Sequence, residues 1–184
     1  FKIHPDNDDL LAAVVAATPN STLVLFEGRH PALTDRFMRR LERAFKASGL
    51  AIRERALVLP GLSHVDYLRV NLVCDAMLDT LHWSGGNTSL DAFACGLPVV
   101  TLPGALMRGR QTAGMLQVLG VTDLIAANRD DYVRIAVRLA TDVAWRNEQR
   151  ARIASGRARL FDDRAPIERL HMFFADVAVA DVPG

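Results

Sequence analysis

The chain has 184 residues, half of them hydrophobic, and its 22 basic and 21 acidic side chains give a formal net charge of +1. That length can bury the core of one domain. The charge balance leaves no surplus of cations to neutralise the phosphates of a duplex, which excludes a nucleic-acid partner. No apolar run reaches the roughly 20 residues of a membrane span, so we also expect no membrane partner.

Short apolar runs alternate with amphipathic stretches, a pattern that is typical of βα units and a mainly parallel sheet. Pro5 stands at an early position of the first predicted helix, and Asp6, Asp8 and Asp9 complement its dipole. The predicted elements of the first half are a helix over residues 5–17, a strand over 22–26, a helix over 32–48, a strand over 56–59 and a helix over 64–73 that Ser63 caps.

The second half continues the alternation and then becomes helical. Its predicted elements are a strand over 76–79, a polar loop over 80–87, a helix over 88–94, strands over 98–102 and 124–126 around a helix over 110–119, and three closing helices over 129–140, 143–155 and 165–175. We therefore expect an α/β fold: a Rossmann-like parallel sheet of four or five strands with flanking helices, ending in a helical segment. Because the first helix follows Phe1 with no residues for a preceding strand, we expect residues 1–184 to be one domain of a longer chain.

The loop after the third predicted strand carries residue types that suit an anion. It leads into a helix start, where unpaired N–H groups and the positive end of the helix dipole point at one place. Two glycines let a phosphate approach the backbone, hydroxyls donate, and a carboxylate one turn into the helix can accept from ribose hydroxyls. The residues of this candidate site are Gly85, Gly86, Asn87, Thr88, Ser89 and Asp91. On local pattern alone, an ordinary turn with Asn87 as the helix N-cap explains the same residues.

The loop after the second predicted strand offers a ring and a polar neighbour. His64 and Tyr67 are three residues apart, so they share one face of a helix start beside a strand end. A ring at this place can stack a base, and its neighbour can reach a ribose. The alternative is a surface helix with a half-buried tyrosine.

Several other polar residues allow two interpretations each. Lys2 is either a point charge on a phosphate or a solvated lysine, and Arg108 and Arg110 either face an anion or close a loop. His82 and Trp83 follow the third predicted strand. Either the pair lines the acceptor side of the site, or Trp83 belongs to the core.

The histidines and cysteines show no ligand pattern in the sequence. His4, His30 and His171 lack metal-ligand spacing, so we expect no metal and no cofactor. Cys74 and Cys95 lie in apolar surroundings, which is typical of small core residues in a reducing compartment rather than of a disulfide. We expect a cytoplasmic domain.

Longer runs of the sequence resemble glycosyltransferase family 41, the O-linked N-acetylglucosamine transferases and their SPINDLY-like bacterial relatives. The runs are Asp-Ala-Met-Leu-Asp-Thr over 75–80, Ser-Gly-Gly-Asn-Thr-Ser-Leu-Asp over 84–91, Gly-Leu-Pro-Val-Val-Thr-Leu-Pro-Gly over 96–104 and Leu-Ile-Ala-Ala-Asn-Arg over 124–129. The resemblance covers nearly the whole chain. It implies the C-terminal domain of a GT-B enzyme, which holds most of a UDP-sugar without a metal.

The resemblance also implies roles for individual residues. Lys2, Asn87 and Thr88 correspond to the family's diphosphate contacts, and Asp91 corresponds to its ribose-binding aspartate. Tyr67 corresponds to the family's base-stacking residue and His64 to a second ribose contact. Leu62 corresponds to the residue whose backbone contacts the uracil edge. The implied partners are a UDP-sugar, a protein or peptide acceptor and an upstream N-terminal GT-B domain, with tetratricopeptide repeats before it. The catalytic base is expected outside this chain, which alone would be inactive.

One departure from the family affects the choice of sugar. Gly86 stands where the family has a histidine near the phosphates, and Gly-Asn-Thr is closer to the bacterial N-glucosyltransferase branch. The alternatives to transfer of N-acetylglucosamine to serine or threonine are therefore an N-glucosyltransferase, a glycosyltransferase acting on glycan or lipid, a sugar-nucleotide epimerase, and a non-catalytic interaction module.

Overall fold

The computed structural model describes the backbone of residues 3–180 and the side chains of residues 3–178. Within that range the α-helices are α1 (Asp8–Ala17), α2 (Pro31–Ala47), α3 (Ile52–Arg55), α4 (His64–Val73), α5 (Asn87–Ala94), α6 (Gln111–Leu119), α7 (Arg129–Thr141), α8 (Val143–Leu160) and α9 (Ala165–Ala180). The strands are β1 (Leu23–Phe26), β2 (Ala56–Leu59), β3 (Met77–Leu78) and β4 (Val99–Val100). Short 3-10 helices occupy Pro5–Asn7, Met107–Gly109 and Thr122–Leu124.

The predicted α/β fold class is confirmed. Several helix ends and strand bounds predicted from local sequence are confirmed as well. The bounds of β2 match the prediction residue for residue. Ser63 caps α4, with its hydroxyl oxygen accepting from the backbone N–H of Asp66 at 3.1 Å. Gly120 ends α6 at φ +76°, a left-handed conformation that glycine adopts without steric cost. The four-residue helix α3 was not predicted, since it is too short to show helical periodicity.

The sequence predicts one continuous sheet of four or five strands, and this prediction is wrong. Among the described residues the strands form two parallel ladders, β1 with β2 and β3 with β4. The predicted last strand over 124–126 is reduced to one bridge, in which Ile125 pairs with Thr101 beyond the end of β4. A 3-10 helix at Thr122–Leu124 takes up the chain immediately before it, which leaves no length for a ladder.

A cavity of about 520 Å³ separates the two ladders. Among the described residues, β1 and β3 are each hydrogen-bonded to a partner strand along one edge only, and both line this cavity. Leu11, Val14 and Val15 of α1 line it as well. The two ladders therefore both face this cavity, and within residues 3–180 no strand pairs β1 with β3.

The core is divided in the same way as the sheet. The larger cluster lies around β4, α5, α6 and α7 and includes Phe93 and Tyr132, both nearly inaccessible to solvent. The smaller one lies between α1 and α2 around Leu41 and Phe45. Helix α1 contributes to both clusters, and the half-buried side chain of Leu78 packs against both.

The structure also bears on the predicted absence of a membrane span and on the two cysteines. Within residues 3–180, no helix has the length and apolar character needed to cross a bilayer. Cys74 and Cys95 are free thiols, half-buried as small apolar residues, and burial raises the pKa of both.

Helices α6 and α8 approach closely at Gly156. A Cβ atom at this position would lie 2.5 Å from the carbonyl oxygen of Leu119 and 3.1 Å from its Cα. Both atoms belong to backbone, so neither can rotate away. The absence of a side chain at residue 156 therefore sets the distance between these two helices.

We expect Gly156→Ala to lower the free energy of unfolding by about 1–3 kcal/mol, because the added methyl group forces the helices apart. Urea denaturation of the purified chain measures this change. The matched control is Gly114→Ala in α6, where a Cβ would meet no atom within 4 Å; it should raise stability by up to about 1 kcal/mol, since alanine favours a helix more than glycine. Equal stabilities of the two variants would contradict the close contact.

Candidate functional site

A buried carboxylate at the end of β3 holds the glycine-containing loop. Asp79 is only 7% exposed. Its Oδ1 accepts from the backbone N–H groups of Thr80 at 3.0 Å and Gly85 at 2.8 Å. Its Oδ2 accepts from the hydroxyls of Ser84 and Thr101, each at 2.7 Å. Four donors thus satisfy one buried charge, and the loop is drawn back onto the strand end.

Three buried hydroxyls continue this network into α6. Ser84 Oγ accepts from the backbone N–H of Thr112 at 3.0 Å and lies 2.8 Å from the Thr112 hydroxyl. Ser89 Oγ is also 2.8 Å from the Thr112 hydroxyl, and Ser89 is only 1% exposed. The predicted donor hydroxyl of Ser89 therefore faces the interior, where it supports the loop rather than facing solvent.

Close approach requires a glycine at residue 85, whereas an added Cβ at residue 86 would meet only the end of a flexible side chain. A Cβ at Gly85 would lie 2.3 Å from Ser89 Oγ and 2.8 Å from Thr88 Oγ1, and one at Gly86 would lie 3.1 Å from Gln111 Oε1. Gly86, not Asn87, is the N-cap of α5, so the alternative that Asn87 is an ordinary cap is wrong. Within the described part of the chain no side chain caps this helix start, which leaves its first N–H groups available to a ligand. Asn87 and Thr88 are exposed.

Helices α4 and α5, which follow β2 and β3, come together where the sequence predicts a crevice. His64 Nε2 of α4 lies 3.2 Å from Asp91 Oδ1 of α5. The imidazole side chain is 67% exposed and the carboxylate side chain 25% exposed, so a ligand can reach both. The Tyr67 ring packs edge-to-face on Phe26 with centroids 5.5 Å apart. Burial raises the pKa of Tyr67, which keeps its phenol protonated.

The remaining predicted site residues lie around this crevice or outside the described range. Leu62 is half-buried in the loop between β2 and α4. Arg110 is exposed directly before α6, whose first residue, Gln111, is the neighbour of Gly86. Arg108 is exposed in the same segment. Lys2 lies outside the described residues.

The loop after β3 also joins a cluster that sequence spacing did not predict. His82 Nε2 lies 2.7 Å from Asp6 Oδ2, and His4 Nδ1 lies 3.2 Å from Asp6 Oδ1. The hydrogen bond with His82 is the main reason why the pKa of Asp6 lies below its usual range. Since 76 positions separate His82 from Asp6, no local motif contains them. The sequence feature that could have indicated this cluster is the position of His82 after the end of a predicted strand. Trp83, next to it, is 43% exposed and so is not a core residue.

Comparison with known proteins gives consistent results. The model of the family described as glycosyl transferase family 41 matches residues 1–170. The Caenorhabditis elegans UDP-N-acetylglucosamine–peptide N-acetylglucosaminyltransferase is 31% identical over 166 residues, which cover 88% of this chain and 14% of that protein. The Arabidopsis thaliana protein named probable UDP-N-acetylglucosamine–peptide N-acetylglucosaminyltransferase SPINDLY is 30% identical over 142 residues, 77% of this chain and 15% of that protein.

A solved structure has the same fold. A mutant of the Thermobaculum terrenum O-GlcNAc transferase superposes with a TM-score of 0.79 at 33% sequence identity. The match covers 90% of this chain and 31% of the other. The present chain therefore corresponds to less than a third of each protein named here.

We expect Asp79→Asn to lower the free energy of unfolding by about 2 kcal/mol, because an amide nitrogen cannot accept the hydroxyl hydrogen bonds that one carboxylate oxygen accepts. Urea denaturation measures the loss. Asp35→Asn is the matched control, since Asp35 is an exposed carboxylate of α2; its effect should stay within about 0.5 kcal/mol. A neutral Asp79→Asn would contradict the role of the buried charge.

Proposed function

Because the chain belongs to glycosyl transferase family 41, we propose that it forms the UDP-sugar-binding half of a glycosyltransferase that moves N-acetylglucosamine to protein serine or threonine. The names of the curated relatives, which specify this sugar and a peptide acceptor, support both assignments. The observation that carries the proposal is the contact between His64 and Asp91, which joins an anion-binding helix start to the segment assigned to the nucleoside.

The diphosphate is assigned to the start of α5. The helix begins without a side-chain cap, and the glycines before it leave its first N–H groups accessible. These groups and the helix dipole attract an anion, and the exposed hydroxyl of Thr88 adds a donor. Asn87 contributes its backbone N–H. Lys2 and Arg110 are assigned as further cations on the phosphates.

The nucleoside is assigned to the neighbouring residues of α4 and α5. Asp91 stands one turn inside α5 and is partly exposed, so its carboxylate can accept from both ribose hydroxyls. His64 reaches the same ribose from the other side. Tyr67 offers a ring to the base, with its edge-to-face contact on Phe26 holding its orientation. Leu62 offers backbone groups to the uracil edge.

The chemical contribution of this half is stabilisation of the leaving group. When the bond between the sugar and UDP breaks, negative charge develops on the diphosphate, next to the N–H groups of α5 and the hydroxyl of Thr88. These groups supply the charge stabilisation, and the donor site is proposed to work without a metal. The acceptor groove and the catalytic base are assigned to the N-terminal GT-B half and its tetratricopeptide repeats. This chain alone should bind UDP and transfer nothing.

Gly86 favours a second candidate for the sugar. The space that a side chain would take at this position is bounded by Gln111, whose Oε1 lies 3.1 Å from the place of a Cβ. With no histidine at residue 86, the phosphate end of the site loses one contact, and the run Gly-Asn-Thr over residues 86–88 resembles the N-glucosyltransferase branch of the family, so UDP-glucose is the alternative donor. Competition of UDP-N-acetylglucosamine and UDP-glucose for the same site measures the preference.

We expect Asp91→Ala to weaken UDP binding about tenfold or more, because a charge-assisted hydrogen bond to a ribose hydroxyl contributes roughly 1.5–3 kcal/mol. Binding of inorganic pyrophosphate should be unchanged or slightly tighter, since the carboxylate repels phosphate. Isothermal titration of the chain with both ligands gives the two affinities.

The matched control for this experiment is Glu168→Ala, which removes an exposed carboxylate from the first turn of α9. It should leave both affinities unchanged. If Asp91 served only the helix dipole, its replacement would lower stability by about 0.3–1 kcal/mol without changing the affinity for UDP. That result would remove the argument for ribose recognition. Absence of any UDP binding at millimolar concentration would contradict the proposed donor site as a whole.

A further inference from the structure

Three metal-ligating atoms converge where the start of the chain meets the loop after β3. His4 Nδ1, His82 Nε2 and one carboxylate oxygen of Asp6 all lie within 4.8 Å of one another. Ligand atoms bound to one tetrahedral zinc ion at 2.0–2.1 Å are separated by about 3.3 Å. His82 contacts Oδ2 of Asp6 at 2.7 Å and His4 contacts Oδ1 at 3.2 Å, so a rotation of the exposed carboxylate has to bring one oxygen between the two rings to admit an ion.

His4 brings a ring nitrogen to the same carboxylate. His4 Nδ1 lies 3.2 Å from Asp6 Oδ1 and 3.2 Å from the backbone nitrogen of Asp6. An imidazole nitrogen this close to a carboxylate oxygen shares a proton with it or, in place of the proton, a metal ion. Zinc would therefore replace a proton at this contact.

The backbone holds His82 in a conformation that costs energy. Its φ of +67° lies in the left-handed region, which non-glycine residues rarely adopt. The preceding N–H, of Leu81, donates at 2.8 Å to Oδ1 of the buried Asn7, which lies next to Asp6. Strain of this kind persists where the surroundings enforce it, and it is concentrated at functional sites. Here it brings the His82 imidazole to Asp6.

The surroundings orient the carboxylate and leave the site open. Arg129 donates to the backbone carbonyl oxygen of Asp6 at 3.0 Å, which fixes the segment that carries the ligand. The His4 and His82 rings meet edge-to-face with centroids 4.7 Å apart. The three side chains are 52%, 49% and 54% exposed for His4, Asp6 and His82, so an ion can enter and water can complete its coordination. The positive charge of Arg129, which acts on Asp6, opposes the binding of a cation.

We propose that His4, Asp6 and His82 bind a divalent transition-metal ion of the zinc class. Two imidazole nitrogens and one carboxylate suit zinc, cobalt or nickel, whereas magnesium and calcium require oxygen ligands. The site uses none of the residues assigned to the donor, and it does not depend on the proposed function. Through His82 it would tie the loop that carries Gly85 to the start of the first helix.

Zinc titration of the untagged chain tests this site. We expect one zinc ion per chain by isothermal titration, and visible absorption from four-coordinate cobalt(II) when cobalt replaces zinc. In ¹H–¹⁵N spectra of the five histidine rings, zinc should shift Nδ1 of His4 and Nε2 of His82 and leave His30 and His171 unmoved. If the histidines and Asp6 are held together only by shared protons, zinc produces neither heat nor shifts, and the proposal is overturned.

Two variants and one control separate metal binding from folding. Asp6→Asn keeps the backbone N–H and the shape of the side chain, and should weaken zinc binding at least tenfold. His82→Gly removes a ligand together with the left-handed strain, so it should lose zinc binding while melting at the same temperature or higher. His171→Ala, an exposed histidine of α9, should bind zinc like the unmodified chain. Wild-type zinc affinity in Asp6→Asn or His82→Gly would contradict the assignment.

Discussion

The second half of the fold depends on the hydrogen bonds that the buried carboxylate of Asp79 accepts. Besides its four donors, its backbone carbonyl oxygen accepts from the Tyr132 hydroxyl of α7 at 2.9 Å. Burial raises the pKa of Tyr132 well above its usual range, with the charge of Asp79 adding to the effect, so this phenol remains a donor. One residue at the end of a two-residue strand therefore orients the loop, the segment after β4 and a helix of the larger core. A buried charge that lost these partners would be costly, which makes the arrangement cooperative.

The geometry of the crevice follows from that constraint. Gly85 is held by its N–H to Asp79, and the hydroxyls of Ser84 and Ser89 are fixed through Thr112. The start of α5 is thereby positioned from inside, by residues that face away from the crevice. Its exposed residues have no part in this support and remain available for a ligand. Support and recognition are thus divided between adjacent residues of one short segment.

Sequence patterns predicted the elements better than their partners. Periodicity and capping signals act locally, so β2 and the cap at Ser63 could be located without knowing the fold. The direction of the Ser89 side chain depends on Thr112, which is 23 positions away, and the cluster at Asp6 depends on His82. The spacing of residues along the sequence does not reveal such pairs. The division of the sheet was equally hidden, since an apolar run indicates a strand but not which edge is paired.

The divided core has a consequence for local unfolding. The smaller cluster, between α1 and α2, is joined to the larger one mainly through α1 and Leu78, and a cavity interrupts the sheet between them. A region with few shared apolar contacts can open without the rest of the molecule. The backbone amides of α2 and β2 should then exchange with solvent through a partial opening, while those of α6 and α7 exchange only when the whole chain unfolds. Helix α4 itself contacts α5 of the larger unit, but the Tyr67 ring packs on Phe26 of β1, so this ring would lose its support when the smaller unit opens.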